Sequence, residues 1–464
     1  MASQPSSAPT TADKPKSPLP RVAIVGTGIS GLTAAYYLHR HYDISVFEAD
    51  SRIGGHTATI DVEHRGQSLA IDTGFIVFND WTYPKFKHLL AEIGVEYQPT
   101  SMGFSVSCRQ SGFEYSGNNL DGFFAQKKRL LSPRHWQLLL DIVRFNRESQ
   151  QLLAEGKLDD DQTLADLLKA LGLNQAFADH YLLPMTSAIW SKSRQASLAM
   201  PARFFVAFFK NHGLLSLSHR PQWHVIRGGS RAYLEPLTKT FSDRIYTNSA
   251  VSHVERSPNA VHLTVNGEVQ VFDQVIFACH SDQALKSLAD PSLAEKQVLG
   301  AIDYQANDVV LHWDQNLLPR NRKCWSSWNY LKDGNSNGSD NDRAVLTYNM
   351  NILQGFNLPT TYCVTLNHTK AIDERKILGR FQYAHPQFTR EGIAAQARWD
   401  EVNGVNRTWF CGAWWGNGFH EDGVASACRV VKGLQQSAMQ SAQYSTQQPT
   451  NQSQPDQVAS RVAS

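Results

Sequence analysis

Cysteine is scarce and scattered. The 464 residues hold six, at Cys108, Cys279, Cys324, Cys363, Cys411 and Cys428, with no C-x-x-C pair among them. That usage indicates no disulfide framework and no paired-thiol motif. Met1–Pro20 is rich in Ser, Pro and Thr and lacks the apolar stretch of a secretory signal, so reduced thiols in a cytoplasmic setting are expected. No run approaches the ~18 consecutive apolar residues of a membrane span. Charge of one sign is missing too. The 44 Lys and Arg against 42 Asp and Glu leave +2, no footprint for nucleic acid. The 17 histidines show no clustered ligand spacing, so no metal site is expected.

Aromatics are plentiful: 22 Phe, 15 Tyr and 11 Trp in a chain that is 42% hydrophobic and 19% charged. This is a globular balance, and the length suits about two or three domains. Residues 1–20 and 435–464, the latter rich in Gln and Ser, are expected to be disordered tails. Arg21–Val25, the glycine turn after it and Leu32–Leu38 read as a βα unit, with a second strand at Ile44–Phe47. Helical patterns cover His135–Leu153 and Thr163–Leu171. Val251–Val271 reads as a hairpin turning at Asn266-Gly267, and Gln274–Ala278 and Asp308–Trp313 read as strands. Asp333–Asp342 reads as a surface loop, and one more helix is expected near the end. The expected fold is α/β. A Rossmann-like dinucleotide-binding domain spans 21–80, 221–305 and 400–434, interleaved with a mixed α+β substrate domain at 81–220 and 306–399.

The turn is Gly26-Thr-Gly28-Ile-Ser30-Gly31. Gly26 permits a tight turn, Gly28 lets the backbone approach a pyrophosphate, and Gly31 lets helix and strand pack closely. The helix after it offers unpaired N–H groups to phosphates. Glu48 stands 20 residues past Gly28 at the end of the second strand, where a carboxylate accepts hydrogen bonds from an adenosine ribose. Ser30 and Ala49 are counted with this site.

The stretch from the end of that strand, Glu48-Ala-Asp-Ser-Arg52-Ile-Gly54-Gly55-His56-Thr57, resembles the flavin amine oxidase and phytoene desaturase superfamily. The resemblance implies that Arg52 and the paired glycines wrap the FAD pyrophosphate and ribityl chain, with His56 and Thr57 on the same loop. It continues through Asp72-Thr-Gly74-Phe75, Val225-Ile-Arg-Gly228-Gly229, Asn248-Ser-Ala-Val251 and Asp273–Ala278. There Gly229 is expected near the flavin ring and Val251 at the adenine. The closing run Cys411-Gly412-Ala-Trp414-Trp415-Gly-Asn-Gly-Phe-His420-Glu-Asp422-Gly423-Val424 resembles the stretch that begins a helix aimed at the flavin. Gly412, His420, Asp422, Gly423 and Val424 are therefore expected at the cofactor, with Asp422 as a helix cap. The Gly-x-His-Glu-Asp-Gly form is most similar to an amine-oxidase-like subgroup of predicted NAD/FAD-binding proteins often encoded beside cyclopropane fatty acid synthases.

Three departures bear on chemistry. No carboxylate follows Cys411-Gly412-Ala413, the superfamily's flavin-linked lysine is replaced by Asn307 or Asp308, and no S-G-G-C segment suggests a covalent flavin. Noncovalent FAD is expected. His420 is the candidate catalytic acid or base, its alternative being a hydrogen bond to the ribityl chain or a nearby carbonyl. Cys279-His280 looks like a nucleophile pair, but adjacent strand residues face opposite sides. Trp190, Trp325, Trp328 and Trp414 are expected to line an apolar substrate pocket, with core packing as the alternative. Phe204–Phe209 reads as core, or as an entrance or membrane-contact surface. Lys127-Lys-Arg129, near Phe123-Phe124 and Trp136, fits anionic lipid headgroups or a solvated helix face.

The function these features imply is an FAD-dependent oxidoreductase taking a hydride from an apolar acyl-lipid or isoprenoid-like substrate. Alternatives are an amine oxidase, a redox-neutral double-bond isomerase, or a non-catalytic FAD-binding partner of a lipid-modifying enzyme. Peripheral membrane contact stays open beside the cytoplasmic expectation.

Overall fold

Val22, Ala23 and Ile24 are buried on both sides of strand β1 (Arg21–Val25), the signature of a central strand in a covered parallel sheet. A computed structural model describes residues 19–190, 193–216, 218–332 and 345–447. The surface loop expected at Asp333–Asp342 lies outside the described residues, as do residues 1–18 and 448–464 of the expected tails. β1 leads through helix α1 (Ile29–Leu38) to β2 (Asp43–Phe47), and three distant segments complete the sheet: β3 (Ile245–Tyr246), β4 (Gln274–Phe277) and β5 (Thr408–Phe410). The order is β3-β2-β1-β4-β5, all parallel.

The expected hairpin is a three-stranded antiparallel meander, Val251–Arg256, Val261–Val265 and Glu268–Phe272. Its second turn does fall at Asn266-Gly267, where φ of 51° and 86° give the left-handed pair of a tight hairpin. The other half of the molecule is a seven-stranded sheet running from Ile377–Gln387 at one edge to Phe113–Ser116 at the other. Val106, Phe113 and Tyr115 of this sheet share a core with Phe145, Phe177, Phe205 and Phe209 of the neighbouring helices. Helices stand at Pro133–Ala154 and Leu164–Ala170, the second started by a Thr163–Asp166 capping box. The Phe204–Phe209 run lies on the Ala202–Asn211 helix and is mostly core.

Two expectations change. Phe86, Leu89 and Leu90, on the Pro84–Glu92 helix, pack in the same core as β1 and α1, so this helix joins the dinucleotide-binding unit rather than the substrate unit. Its anchor is Glu421, which accepts from Lys85 N at 3.1 Å and Phe86 N at 2.9 Å. The closing helix, His420–Gln447, carries regular structure through residues 435–447, which were expected to be disordered. Helix hydrogen bonds are local, and Gln, Ala and Met are good helix formers, so the helix extends past the last core residue, Leu434.

Arg256, on the meander, is buried and pairs with buried Glu295 through its two terminal nitrogens, Nη1 and Nη2. Its Nε donates to Asp290 Oδ1 at 2.9 Å, and Nη1 lies 3.4 Å from Thr408 Oγ1 on β5. The guanidinium thus ties meander, helix and sheet together. Burial by itself would raise the Glu295 pKa, and the hydrogen bonds from Arg256 reverse this, so the carboxyl sits below its ordinary range. Its stabilising contribution is therefore present above the ordinary carboxylate pKa and is lost as pH falls through the depressed folded value. Glu295→Ala is expected to lower the unfolding free energy in urea by ~3–5 kcal/mol, because it strands a buried charge. Asp160→Ala, which breaks an exposed pair with Arg203, is expected to cost under ~1 kcal/mol.

Candidate cofactor and substrate site

The C-terminal ends of β1, β2, β4 and β5 deliver Gly26, Glu48, Ala278 and Gly412 to the rim of one cavity of 590 Å³. This is where open parallel sheets bind ligands. α1 starts here with Gly28 as its N-cap and no side-chain cap, so its first N–H groups face the cavity without an internal partner. A Cβ on Gly26 would lie 2.9 Å from Ala278 O, and one on Gly31 would lie 2.0 Å from Gly26 O. A Cβ on Gly28 meets nothing within 4 Å. Gly26 and Gly31 are thus packing glycines, and Gly28 leaves open a cradle at the helix start. Gly55 laps over that cradle, its own Cβ position 3.2 Å from Gly28 Cα. Glu48 accepts from Thr27 N at 3.0 Å, from Thr27 Oγ1, and from Asp50 N at 2.9 Å, which holds the carboxylate at the cavity edge. Capless helix start, open glycine and strand-end carboxylate fit a dinucleotide such as FAD.

The expected residues separate into two groups. Gly26, Gly28, Ser30, Glu48, Ala49, Gly54, Gly55, His56, Val251, Gly412 and His420 border the cavity, as do Trp190, Trp328 and Trp414. The remainder stand behind it. Arg52 donates to Gly55 O at 2.8 Å and Thr57 O at 3.3 Å, shaping the loop from its outer side. Thr57 Oγ1 bonds Tyr233 OH at 2.5 Å and His420 Nε2 at 3.1 Å. Gly229 has φ 91° and lies against Thr59 and Asp72, where a Cβ would come within 2.6 Å of Thr59 Cγ2. Gly423 packs the closing helix onto α1, since a Cβ there would lie 2.7 Å from Ile29 Cγ2, and Val424 is in the core beside it. Asp422 does act at the helix start, accepting from Phe419 N at 2.9 Å from its place in the first turn. Trp325 is set apart from the cavity, its indole donating to Pro319 O at 2.8 Å and Arg322 lying over its ring.

His420 is buried, stacked on Phe75 at 3.5 Å, and its Nε2 lies 3.3 Å from Tyr233 OH in addition to Thr57. Burial first, then neighbouring His56, pushes its pKa well down, so the imidazole is neutral. These contacts hold the ring as a fixed wall of the cavity. Cys279 and His280 border the same cavity instead of facing opposite ways, because β4 ends at Phe277 before reaching them. Burial pushes the Cys279 thiol up to about 12, so it is no nucleophile at neutral pH.

Sequence reasoning did not assemble the imidazole group that faces this cavity. His56, His280 and His385 border it together, with His56 5.9 Å from the His280 ring and 5.7 Å from the His385 ring. Burial lowers His56 and His280 to about 4 and His385 to about 3, each helped by a neighbouring imidazole. Asn307, buried behind them, donates from Nδ2 toward His385 Nδ1 at 3.3 Å, leaving the His385 proton on Nε2. The buried Nε2 of His56 and Nε1 of Trp190 have no hydrogen-bond partner among the described residues, two polar atoms poised on the cavity wall. Beyond them the lining is apolar, from Phe75, Ile76, Trp190, Trp328, Tyr348 and Phe388. Tyr348 and Phe388 carried no local signal, for the seven-stranded sheet and the residue just past its edge strand bring them in from far along the chain.

Gly28→Val is expected to give a colourless protein whose apo form melts as the parent does, since the added atoms enter open space. Gly31→Val is expected to fail in folding, and flavin absorbance with a thermal melt separates the two. A second expectation concerns acid. Folded pKa values near 4, below the usual ~6.5 of histidine, mean that the unfolded chain binds more protons between those limits. The stability owed to neutral imidazoles is then complete above ~6.5 and is lost as pH falls toward 4. Melting temperature plotted against pH should fall less steeply over that window in His280→Gln than in the parent.

The profile of the flavin containing amine oxidoreductases matches residues 29–351. Prenylcysteine oxidase 1 of Mus musculus is 25% identical over 270 residues, 53% of this chain and 50% of its own. The flavin-containing amine oxidase A of Canis lupus familiaris is 25% identical over 276 residues, 55% of this chain and 49% of its own. This chain thus spans about half the length of the curated relatives it matches. Among solved structures, a CLA-producing fatty acid isomerase from P. acnes superposes with a TM-score of 0.64 at 15% identity, covering 89% of this chain and 98% of that one, which shows a shared fold. A profile match over residues 29–351, more than half of the chain, shows that the chain belongs to the flavin containing amine oxidoreductase family, with FAD as its cofactor.

Proposed function

We propose that this protein is an FAD-dependent oxidoreductase that dehydrogenates an apolar, acyl-lipid or isoprenoid-like substrate. One observation carries the substrate class. Among the described lining residues Glu48 is the only carboxylate, it is held by Thr27 at the nucleotide end, and no lysine or arginine borders the cavity. The four imidazoles on its wall are depressed to neutrality. A charged ammonium or carboxylate would be desolvated there without a counter-charge, at a cost of several kcal/mol, about what rules out an unpaired buried ion. A neutral hydrocarbon segment loses nothing on entry and gains by leaving water. The relative named prenylcysteine oxidase supports an isoprenoid-bearing ligand.

Bound FAD supplies the acceptor for two electrons and one hydrogen from a substrate C–H bond. The chain's own residues would do the rest. Gly28, the N–H groups at the start of α1 and Glu48 would hold the dinucleotide. The aromatic lining, with Trp328 set edge-on to Tyr348 at 5.6 Å, would orient the hydrocarbon and exclude water. Forming a double bond also releases a proton from the adjacent carbon. The partnerless Nε2 of His56, on a neutral ring, is an acceptor on the cavity wall for that proton. His420, with Nε2 shared between Thr57 and Tyr233, serves better as a positioning residue.

The test is anaerobic mixing of the yellow holoprotein with acyl lipids, isoprenoid compounds and primary amines while flavin absorbance is followed. An apolar-chain compound should bleach the flavin, with colour restored by oxygen and a new double bond found in the product. Bleaching by amines alone, or by nothing offered, would overturn the proposal. A double bond moved without net oxidation would instead identify an isomerase.

A further inference from the structure

We propose that the surface formed by Leu120, the Lys127–Leu131 turn and the outer face of the Pro133–Ala154 helix docks on an anionic phospholipid membrane. Large apolar side chains rarely cluster on the surface of a soluble protein without a partner. Here Leu131 is 89% exposed, Leu120 66% and Leu140 59%, with Leu130, Trp136 and Val143 also exposed. Trp136, Leu140 and Val143 recur at four- and three-residue spacing, which puts them on one side of the helix. His135, Leu138, Ile142 and Phe145 occupy the other side and are buried. Two sides of the helix thus carry apolar groups at this end, and only one of them is used by the fold.

The patch is also rigid. The Trp136 indole donates to Leu130 O at 2.9 Å, and its ring lies 4.7 Å from Phe124. Those contacts clamp the Lys127–Leu131 turn to the helix start, so Leu130, Leu131 and Trp136 present one surface with the indole N–H satisfied. An amphipathic aromatic anchor of this kind suits the headgroup boundary.

Charge decides what covers it. Lys127, Lys128 and Arg134 are exposed around the apolar groups, and Lys323 is drawn in because it shares Asp121 with Lys127, each at 3.1 Å. The rim is positive, with its carboxylate bridged by two lysines. A second copy of this chain placed by two-fold symmetry would set these cations against one another. A bilayer rich in phosphatidylglycerol offers the opposite charge and an apolar layer a few ångströms deeper. This inference stands on the outer surface alone and holds whether or not the substrate assignment does.

The experiment sediments FAD-loaded protein with vesicles of phosphatidylcholine, with and without phosphatidylglycerol. Binding is expected only with the anionic lipid, and it should weaken at about 0.5 M salt, where screening is short-ranged. The double substitution Leu131→Glu with Leu140→Glu should reduce vesicle affinity by about tenfold or more, because it puts carboxylates at the anionic surface. Flavin absorbance and melting temperature should match the parent, as both sites are exposed. Parent and variant sedimenting alike, or no sedimentation with the anionic vesicles, would overturn the proposal. A dimer in light scattering that Leu131→Glu dissolves would overturn it too, by showing that a second copy covers the patch.

Discussion

The close approach of backbone to backbone around Gly26, Gly31 and Gly423 is the constraint on which the rest of the molecule depends. Gly31 lets the first turn of α1 rest on the Gly26 carbonyl, and Gly423 lets the closing helix rest on Ile29 and Ser30. Side chains at these points would push β1, α1 and the closing helix apart, and the helix start could no longer point into the cavity. Segments from residues 21 to 47, 274 to 277 and 408 to 434 meet there, so one crowded corner sets the geometry of the cradle. Gly28 sits in the middle of that corner with open space where a Cβ would be, which is the difference between a packing glycine and one that leaves room for a ligand.

From that corner the cavity runs from polar to apolar. At the sheet end Glu48 and the helix N–H groups would hold the nucleotide, and tryptophan, tyrosine and phenylalanine elsewhere on the wall give an apolar lining. Between them lie imidazoles that burial keeps neutral. Buried histidines without counter-ions raise no electrostatic barrier to an uncharged ligand, yet they keep hydrogen-bonding atoms on the wall. The interleaved chain path makes this possible, since neither unit contains the whole wall.

The dinucleotide half was readable because its signals are local. Gly26 to Gly31, Glu48 and the Asn266-Gly267 turn each depend on backbone conformations set within a few residues, and the structure places each as expected. The aromatic pocket was read only in part. Trp190, Trp328 and Trp414 reach the cavity, but Trp325, in the same short cluster as Trp328, turns away under Arg322. Composition marks such residues as special without saying which way a strand presents them. The Pro84–Glu92 helix, inside the 81–220 stretch, packs in the core of β1 and α1 for a similar reason, because a Glu421 contact far along the chain holds it there.

By itself the sequence determined the βα cradle and the carboxylate at the end of β2, because these rest on short-range backbone geometry that particular residue types impose, while the family and the cofactor were legible through the resemblance that Glu48–Thr57 and Cys411–Val424 carry. The tertiary structure alone decided that His56, His280 and His385 face one another, that Cys279 and His280 border the same space, and that Arg256 is sealed beside Glu295. His56, His280 and His385, and likewise Arg256 and Glu295, lie tens to hundreds of positions apart, and only the folding of separate segments onto one another sets the burial and charge that they meet. The same holds for Leu131 and Trp136. Their hydrophobicity is plain in the sequence, whereas their exposure is a property of which helix face the core left uncovered.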